Sequence, residues 1–185
     1  MKKIVIYLNI SIDGIVSDVE NWANINDDVL TDAMTRYEET DIAIFGGATY
    51  SSMAEYWQQA EVSSDNELER IFAKMLNDTR KIVITDKELA LSWRNSEQWV
   101  VRDDEELIAK VGTLEGMVSV ESGLRTWKKF LKHQLFDELH FVVQPVIAGA
   151  GERLFDVIEK IPLKLLSSEQ LKGGLLKVEY RKAGQ

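Results

Sequence analysis

The chain has 185 residues, 45% hydrophobic and 29% charged, which argues against disorder and provides a full core without disulfide or metal staples. It has no cysteine and only two histidines, His133 and His140, so thiol catalysis, thiolate-bound zinc and a three-histidine metal site within one chain are excluded. Twenty-two Lys and Arg stand against 31 Asp and Glu, and the resulting −9 repels nucleic acid and anionic membrane.

Residues 3–10 (KIVIYLNI) are β-branched and nearly all apolar, the pattern of a central strand covered on both faces. Lys2 and Lys3 precede the apolar run that starts at Ile4, but Asn9, Ser11 and Asp13 break it, which argues for a strand rather than a signal peptide. No stretch is long enough for a membrane span, and a cytoplasmic location is expected. A loop over 11–26 contains Gly14. The helical spacing of Leu30, Ala33, Met34 and Tyr37 predicts a helix over 27–40, with Asn26 or Asp27 as its cap. Residues 41–45 read as a second buried strand ended by Gly46-Gly47.

Two helices are expected over 49–58 and 67–77, with 61–66 as a polar connection. Strands are expected at 81–85 and 99–101, and a helix with an acidic first turn at 104–111. A strand at 117–120 is followed by a helix at 124–134. After a strand at 138–143, Pro145 forbids continuing as a central strand. Residues 163–170 and 175–181 then read as a hairpin turning at Gly173-Gly174. The order predicts one α/β domain over 1–185, mostly parallel, with antiparallel C-terminal edge strands.

In such a sheet, ligands sit beyond the carboxyl ends of the strands. The loops there are 11–26, 46–49, 121–125 and 146–153. Glycines at several of these ends allow close backbone approach and leave helix N-terminal amides free for a phosphate, favouring a nucleotide-like ligand.

Several motifs in order carry a resemblance. They are Ser11-Ile12-Asp13-Gly14, the loop residue Trp22, and Ile44-Phe45-Gly46-Gly47-Ala48-Thr49-Tyr50. Leu135-Phe136-Asp137-Glu138-Leu139 and Pro145-Val146 with Gly149-Ala150-Gly151-Glu152-Arg153-Leu154-Phe155 complete the set. Together they resemble the dihydrofolate-reductase-like family, specifically the C-terminal reductase domain of bifunctional riboflavin-biosynthesis enzymes, over 1–155. The resemblance implies a three-layer sandwich and hydride transfer from NADPH to a pterin- or pyrimidine-like small molecule. The reference activities are those of dihydrofolate reductase and 5-amino-6-(5-phosphoribosylamino)uracil reductase.

It further implies that Asn9 and Val16 flank the nicotinamide. Gly46, Gly47, Thr49 and Tyr50 open the helix that approaches the adenosine phosphates. Ser122, Gly123 and Arg125 belong to the turn that receives the pyrophosphate. Trp22 closes over the substrate, and an acid on the first helix holds the substrate's ring nitrogens. Asp27 is the first candidate, with Asp28 and Asp32 as competitors, because a carboxylate accepts two in-plane hydrogen bonds from an amidine-like edge. The resemblance also implies a homodimer through edge strands.

Two departures touch the cofactor. Gly47 stands where the family has arginine, followed by Ala48, so cations for the phosphate that distinguishes NADPH are missing. Glu121 would bring a carboxylate close to the pyrophosphate unless it points away. Three readings stay open: NADPH held through other residues such as Arg125 or Arg102; NADH, a flavin or a folate as ligand; and a non-catalytic binding relative.

Other residues have plainer readings. His140 is expected on a partly buried strand and His133 near a helix C-terminus. Trp57 and Trp127 are expected in the core. The acids Asp103, Asp104, Glu105 and Glu106 are expected to face solvent rather than hold metal.

Overall fold

The computed structural model describes residues 2–156 and 159–184. Eight strands form one sheet: β1 Lys3–Ser11, β2 Ile42–Gly46, β3 Arg80–Thr85, β4 Ser96–Val100, β5 Met117–Ser122, β6 Glu138–Gln144, β7 Leu163–Gln170 and β8 Leu176–Lys182. Five α-helices pack on it: α1 Asp27–Tyr37, α2 Tyr50–Ser63, α3 Glu67–Asp78, α4 Asp104–Gly112 and α5 Leu124–Lys132. The strand order is β4-β3-β2-β5-β1-β6-β8-β7. All pairs are parallel except those made by β8, which runs antiparallel to both β6 and β7. This is the α/β sandwich with antiparallel edge strands that the sequence predicts.

Alternation along the strands sorts side chains to two faces. On one face Ile4, Ile6 and Leu8 join Ile44, Val120 and Leu139 under Phe130 and Leu131 of α5 and Leu107 of α4. The opposite face lies under α1, α2 and α3. There Ala43, Phe45 and Val83 pack with Tyr37, Tyr50 and Phe72. A separate small cluster joins Tyr7 and Val142 to Val29 and Leu175.

The differences from expectation are local. Helix α2 continues through Glu61, Val62 and Ser63, where a polar connection is predicted; polar residues there are helix-competent and one face still packs. Strand β5 runs two residues further than predicted, taking in Glu121 and Ser122. The pairing of β5 with β2 steps from Ile44↔Val120 to Phe45↔Ser122, so Glu121 is the unpaired residue of a bulge. Strand β4 spans Ser96–Val100, earlier than predicted.

Two of the motif acids tie this frame together. Asp137 Oδ2 accepts from Ile4 N at 2.7 Å, fixing the start of β6 beside β1. Asp13 Oδ1 accepts from Ser11 Oγ at 2.7 Å and from Ala148 N at 2.9 Å, and its Oδ2 accepts from Gly149 N at 2.9 Å. Asp13 therefore latches the loop after β1 to the loop after β6. These bonds hold its carboxyl down to about 2, the serine hydroxyl contributing most.

Candidate functional site

Strand β1 sits between β5 and β6, both parallel to it, and the three do not stay together. Its pairing with β5 ends at Ile6↔Val120, whereas its pairing with β6 continues to Ser11↔Gln144. A crevice therefore opens between β1 and β5 at their carboxyl ends, where ligands of open α/β sheets bind.

Two helices start at the β2–β5 side of that crevice, and neither is capped by a side chain. The N-caps of α2 and α5 are Thr49 and Gly123, and neither makes a side-chain cap hydrogen bond. Asn26, Asn66 and Asp103 do cap α1, α3 and α4. Free N-terminal amides on two adjacent helices fit a diphosphate. The two turns are pressed together. A Cβ on Gly123, whose φ is +99°, would lie 2.9 Å from Gly46 Cα, and one on Gly46 would lie 2.9 Å from Thr126 Oγ1. Only glycine permits that approach. Thr49 Oγ1 and Ser122 Oγ share a hydrogen bond of 2.7 Å across the same junction.

Around this core the predicted residues fall as follows. Gly46, Gly47, Thr49, Ser122 and Gly123 come together. Tyr50 points into the core, where its hydroxyl accepts from Trp93 N at 2.8 Å, so that position offers a ligand only its backbone. Arg125 is exposed on the first turn of α5. Arg102 is exposed and paired with Glu106 at 3.2 Å. A Cβ on Gly47 would lie 2.8 Å from Thr85 Cβ, so this backbone leaves no room for the family's arginine.

Asn9 faces the α1 side of β1, and its Oδ1 accepts from Gln144 Nε2 at 2.8 Å. Gln144 Oε1 in turn accepts from Asn24 N, tying the 11–26 loop to the sheet. Val16 is buried in the aliphatic core. Trp22 is half-buried, and its Nε1 donates to Ser17 O at 2.9 Å, holding the loop folded on itself.

The three helix acids have different surroundings. Asp27 is exposed and accepts a hydrogen bond from Asn66, the N-cap of α3. Asp28 accepts from Lys172 N and pairs with its ammonium at 3.1 Å, which holds its carboxyl below the usual range. Asp32 lies over the sheet, 12% exposed, paired with Lys177 of β8.

Asp32 belongs to a polar strip that sequence reasoning missed. Tyr7, His140 and Glu179 are cross-strand neighbours on the α1 face. Above them Arg36 of α1 stacks on Tyr7, with Cζ 3.8 Å from the ring centroid, and donates to Ser119 Oγ and Glu121 Oε1 at 2.5 Å each. Glu121 thus turns towards α1. Among the described residues the hydroxyls of Tyr7 and Tyr37 and the Arg36 Nε are buried without a hydrogen-bond partner. Burial pushes both phenol pKa values up, so both hydroxyls stay protonated. His140 is buried, with Nε2 2.9 Å from Glu138 Oε2; burial lowers its pKa against the pull of that carboxylate.

The remaining residues have structural roles. Trp57 packs against the α2–α3 core and Trp127 is buried. Asp103 caps α4, while Asp104 pairs with Lys132 and His133. Among the described residues no helix is long and apolar enough to cross a membrane.

The model of the RibD C-terminal domain family matches residues 2–177. The chain belongs to that family. Solved structures similar to this RibD C-terminal domain protein include a putative riboflavin biosynthesis protein from Shewanella sp. PV-4, 18% identical with a TM-score of 0.66, covering 97% of this chain and 98% of that one. The deaminase/5-amino-6-(5-phosphoribosylamino)uracil reductase of Thermotoga maritima is 18% identical with a TM-score of 0.65, covering 98% of this chain and 57% of that one. This chain therefore spans little more than half of that bifunctional enzyme. A dihydrofolate reductase from Enterococcus faecalis, solved with NADP(H) and RAB-propyl, is 14% identical with a TM-score of 0.62, covering 98% of this chain and 96% of that one. At these identities the likeness is one of fold. No curated protein matches the chain.

Proposed function

We propose that this RibD C-terminal domain protein is a nicotinamide-dependent reductase acting on a pterin- or pyrimidine-like small molecule, as one domain over 1–185 in the cytoplasm. The observation that carries the reading is the pair of uncapped helix N-termini beside the β1–β5 crevice, with Gly46 and Gly123 in backbone contact. The backbone amides opening α2 and α5 would hold the dinucleotide's phosphates, helped by the Thr49 and Ser122 hydroxyls. The bound cofactor supplies the hydride.

The chain's own part is to orient and enclose the two reactants. Asn9, fixed by Gln144, borders the nicotinamide side of the crevice. Asp32 replaces Asp27 as our choice of acid facing the substrate, since Asp27 is directed to α3 and Asp28 to the turn before β8. Trp22 and its loop, latched by Asp13, shield the site from water. NADPH is the family's cofactor. The packing of Gly47 on Thr85 removes one cationic contact for its extra phosphate, so NADH is the competing cofactor.

Every residue of β7 is exposed, and Leu163, Leu165 and Leu166 there join Leu176 of β8 as exposed apolar side chains. An edge of this kind supports a homodimer. A solution mass of a single chain at micromolar concentration removes that part of the reading.

A second reading, a binding relative without turnover, draws on the ion pairs Asp32–Lys177 and Arg36–Glu121 that fill the α1 side. Separate titrations with NADPH and NADH, followed by tryptophan fluorescence and calorimetry, test the first reading. Micromolar affinity for either supports it, and absence of binding at millimolar concentration overturns it. Binding without oxidation of the cofactor across a pterin and pyrimidine panel favours the second.

A further inference from the structure

Glu121 creates an electrostatic problem for the function just proposed. It lies two residues before Gly123, on the bulge that leads into the turn assigned to the diphosphate. A free carboxylate there repels an anion. Its carboxylate is not free. Arg36 reaches across from α1 and binds Oε1 at 2.5 Å, and the Ser119 hydroxyl bonds the same oxygen at 2.5 Å.

The arrangement is not simply good packing. Arg36 uses one terminal nitrogen for both of its hydrogen bonds, and among the described residues its buried Nε has no hydrogen-bond partner. The side chains are 7% and 13% exposed, so the pair is largely desolvated, a setting in which an ion pair adds little net stability. Its geometric effect is definite: the carboxylate is turned to the α1 face and held there against Ser119.

We infer that Arg36 is a positioning residue for the anionic cofactor: by holding Glu121 against Ser119 on the α1 face, it keeps that carboxylate out of the diphosphate turn. The inference rests on the reductase reading. If Arg36 is lost, Glu121 keeps one serine hydroxyl and a buried, uncompensated charge. Released from the α1 face, the carboxylate is free to turn towards Gly123, two residues on, where it opposes the phosphates.

The test is a cycle on the full chain: wild type, Arg36→Met, Glu121→Gln and the double variant. Each is titrated with the dinucleotide that the wild type binds more tightly and, separately, with adenosine, which carries no phosphate. Arg36→Met is expected to weaken the dinucleotide roughly tenfold or more, the scale of one like-charge contact in partly screened surroundings, and to leave adenosine affinity unchanged. Adding Glu121→Gln is expected to restore dinucleotide affinity, and Glu121→Gln alone to leave it at or above the wild-type value.

Equal loss of adenosine and dinucleotide, or no rescue in the double variant, overturns the inference and makes Arg36 a structural residue. Should Arg36→Met fail to fold, Arg36→Lys carries the same arms, with a smaller loss and the same rescue expected. A wild type that binds neither dinucleotide removes the reductase reading and the inference with it. A wild type that binds, with an Arg36→Met variant that binds equally well, removes the inference alone.

Discussion

The two faces of one sheet differ sharply. On the α4–α5 side the central strands contribute an unbroken aliphatic layer of Ile4, Ile6, Leu8, Ile44, Val118 and Val120. On the α1 side the same strands contribute Tyr7, Asn9, Ser119, Glu121 and His140, flanked by apolar patches at either end. The first face is organised for packing alone. The second accepts buried ion pairs, a bulge and unpartnered hydroxyls, features that cost stability and collect where a protein binds something.

The largest test of this contrast is on the packing face. Phe130 is fully buried there, and Phe130→Ala should cost about 3–5 kcal/mol by urea denaturation. If the faces are functionally separate, the surviving folded protein keeps its nucleotide affinity. A loss of affinity beyond the loss of folded fraction would show the packing face shaping the site.

Next comes Lys81, fully buried on the other side of the sheet. Its ammonium donates to Leu76 O, Asn77 O and Thr79 O at 2.6–2.9 Å, closing the C-terminus of α3. Lys81→Met leaves those carbonyls without that donor and should cost about 3 kcal/mol, again read by denaturation. A cost below about 1 kcal/mol would mean that water replaces the ammonium there.

Gly123→Ala should separate stability from function. The added methyl meets Gly46 Cα at 2.9 Å and sits on a backbone of positive φ. A moderate destabilisation of about 1–3 kcal/mol is expected. Nucleotide affinity should fall by roughly tenfold or more, since the methyl also separates the two helix N-termini. Unchanged affinity would detach the glycine turn from the ligand.

The packing face was legible in the sequence because its signal is local: 3–10 and 41–45 are apolar runs, and their strand assignments hold within a residue or two. The polar face was less so. Glu121 and Ser122 lack the β-branched side chains that mark a strand, so the end of β5 reads as turn. Arg36 gains its meaning from Glu121, 85 residues away, and no spacing along the chain announces that pair. The order among Asp27, Asp28 and Asp32 depends on Asn66, Lys172 and Lys177, partners on three other elements. Along the chain Ser11 and Asp13 are only part of a motif; their work as a loop latch emerges with the amides of Ala148 and Gly149 in place.

That latch gives the smallest expected effect and the one that tests the rim of the polar face. Asp13's carboxyl is held to about 2, below its ordinary 3.8, because the folded loop supplies a serine hydroxyl and two amides to the ionised form. A depressed carboxylate pKa contributes stability that is complete above the unfolded value and disappears as pH falls through the folded one. The loop contact should therefore hold above about pH 4 and release as pH drops towards 2. In an NMR titration the Ala148 and Gly149 amides should shift together with a midpoint near the Asp13 value of about 2. Asp13→Asn, which cannot ionise, should abolish that transition and leave the two amides less protected at neutral pH, with little change in global stability. A midpoint at the ordinary carboxylate value would mean that the latch is not formed in solution. The loop carrying Trp22 would then close over the crevice without it.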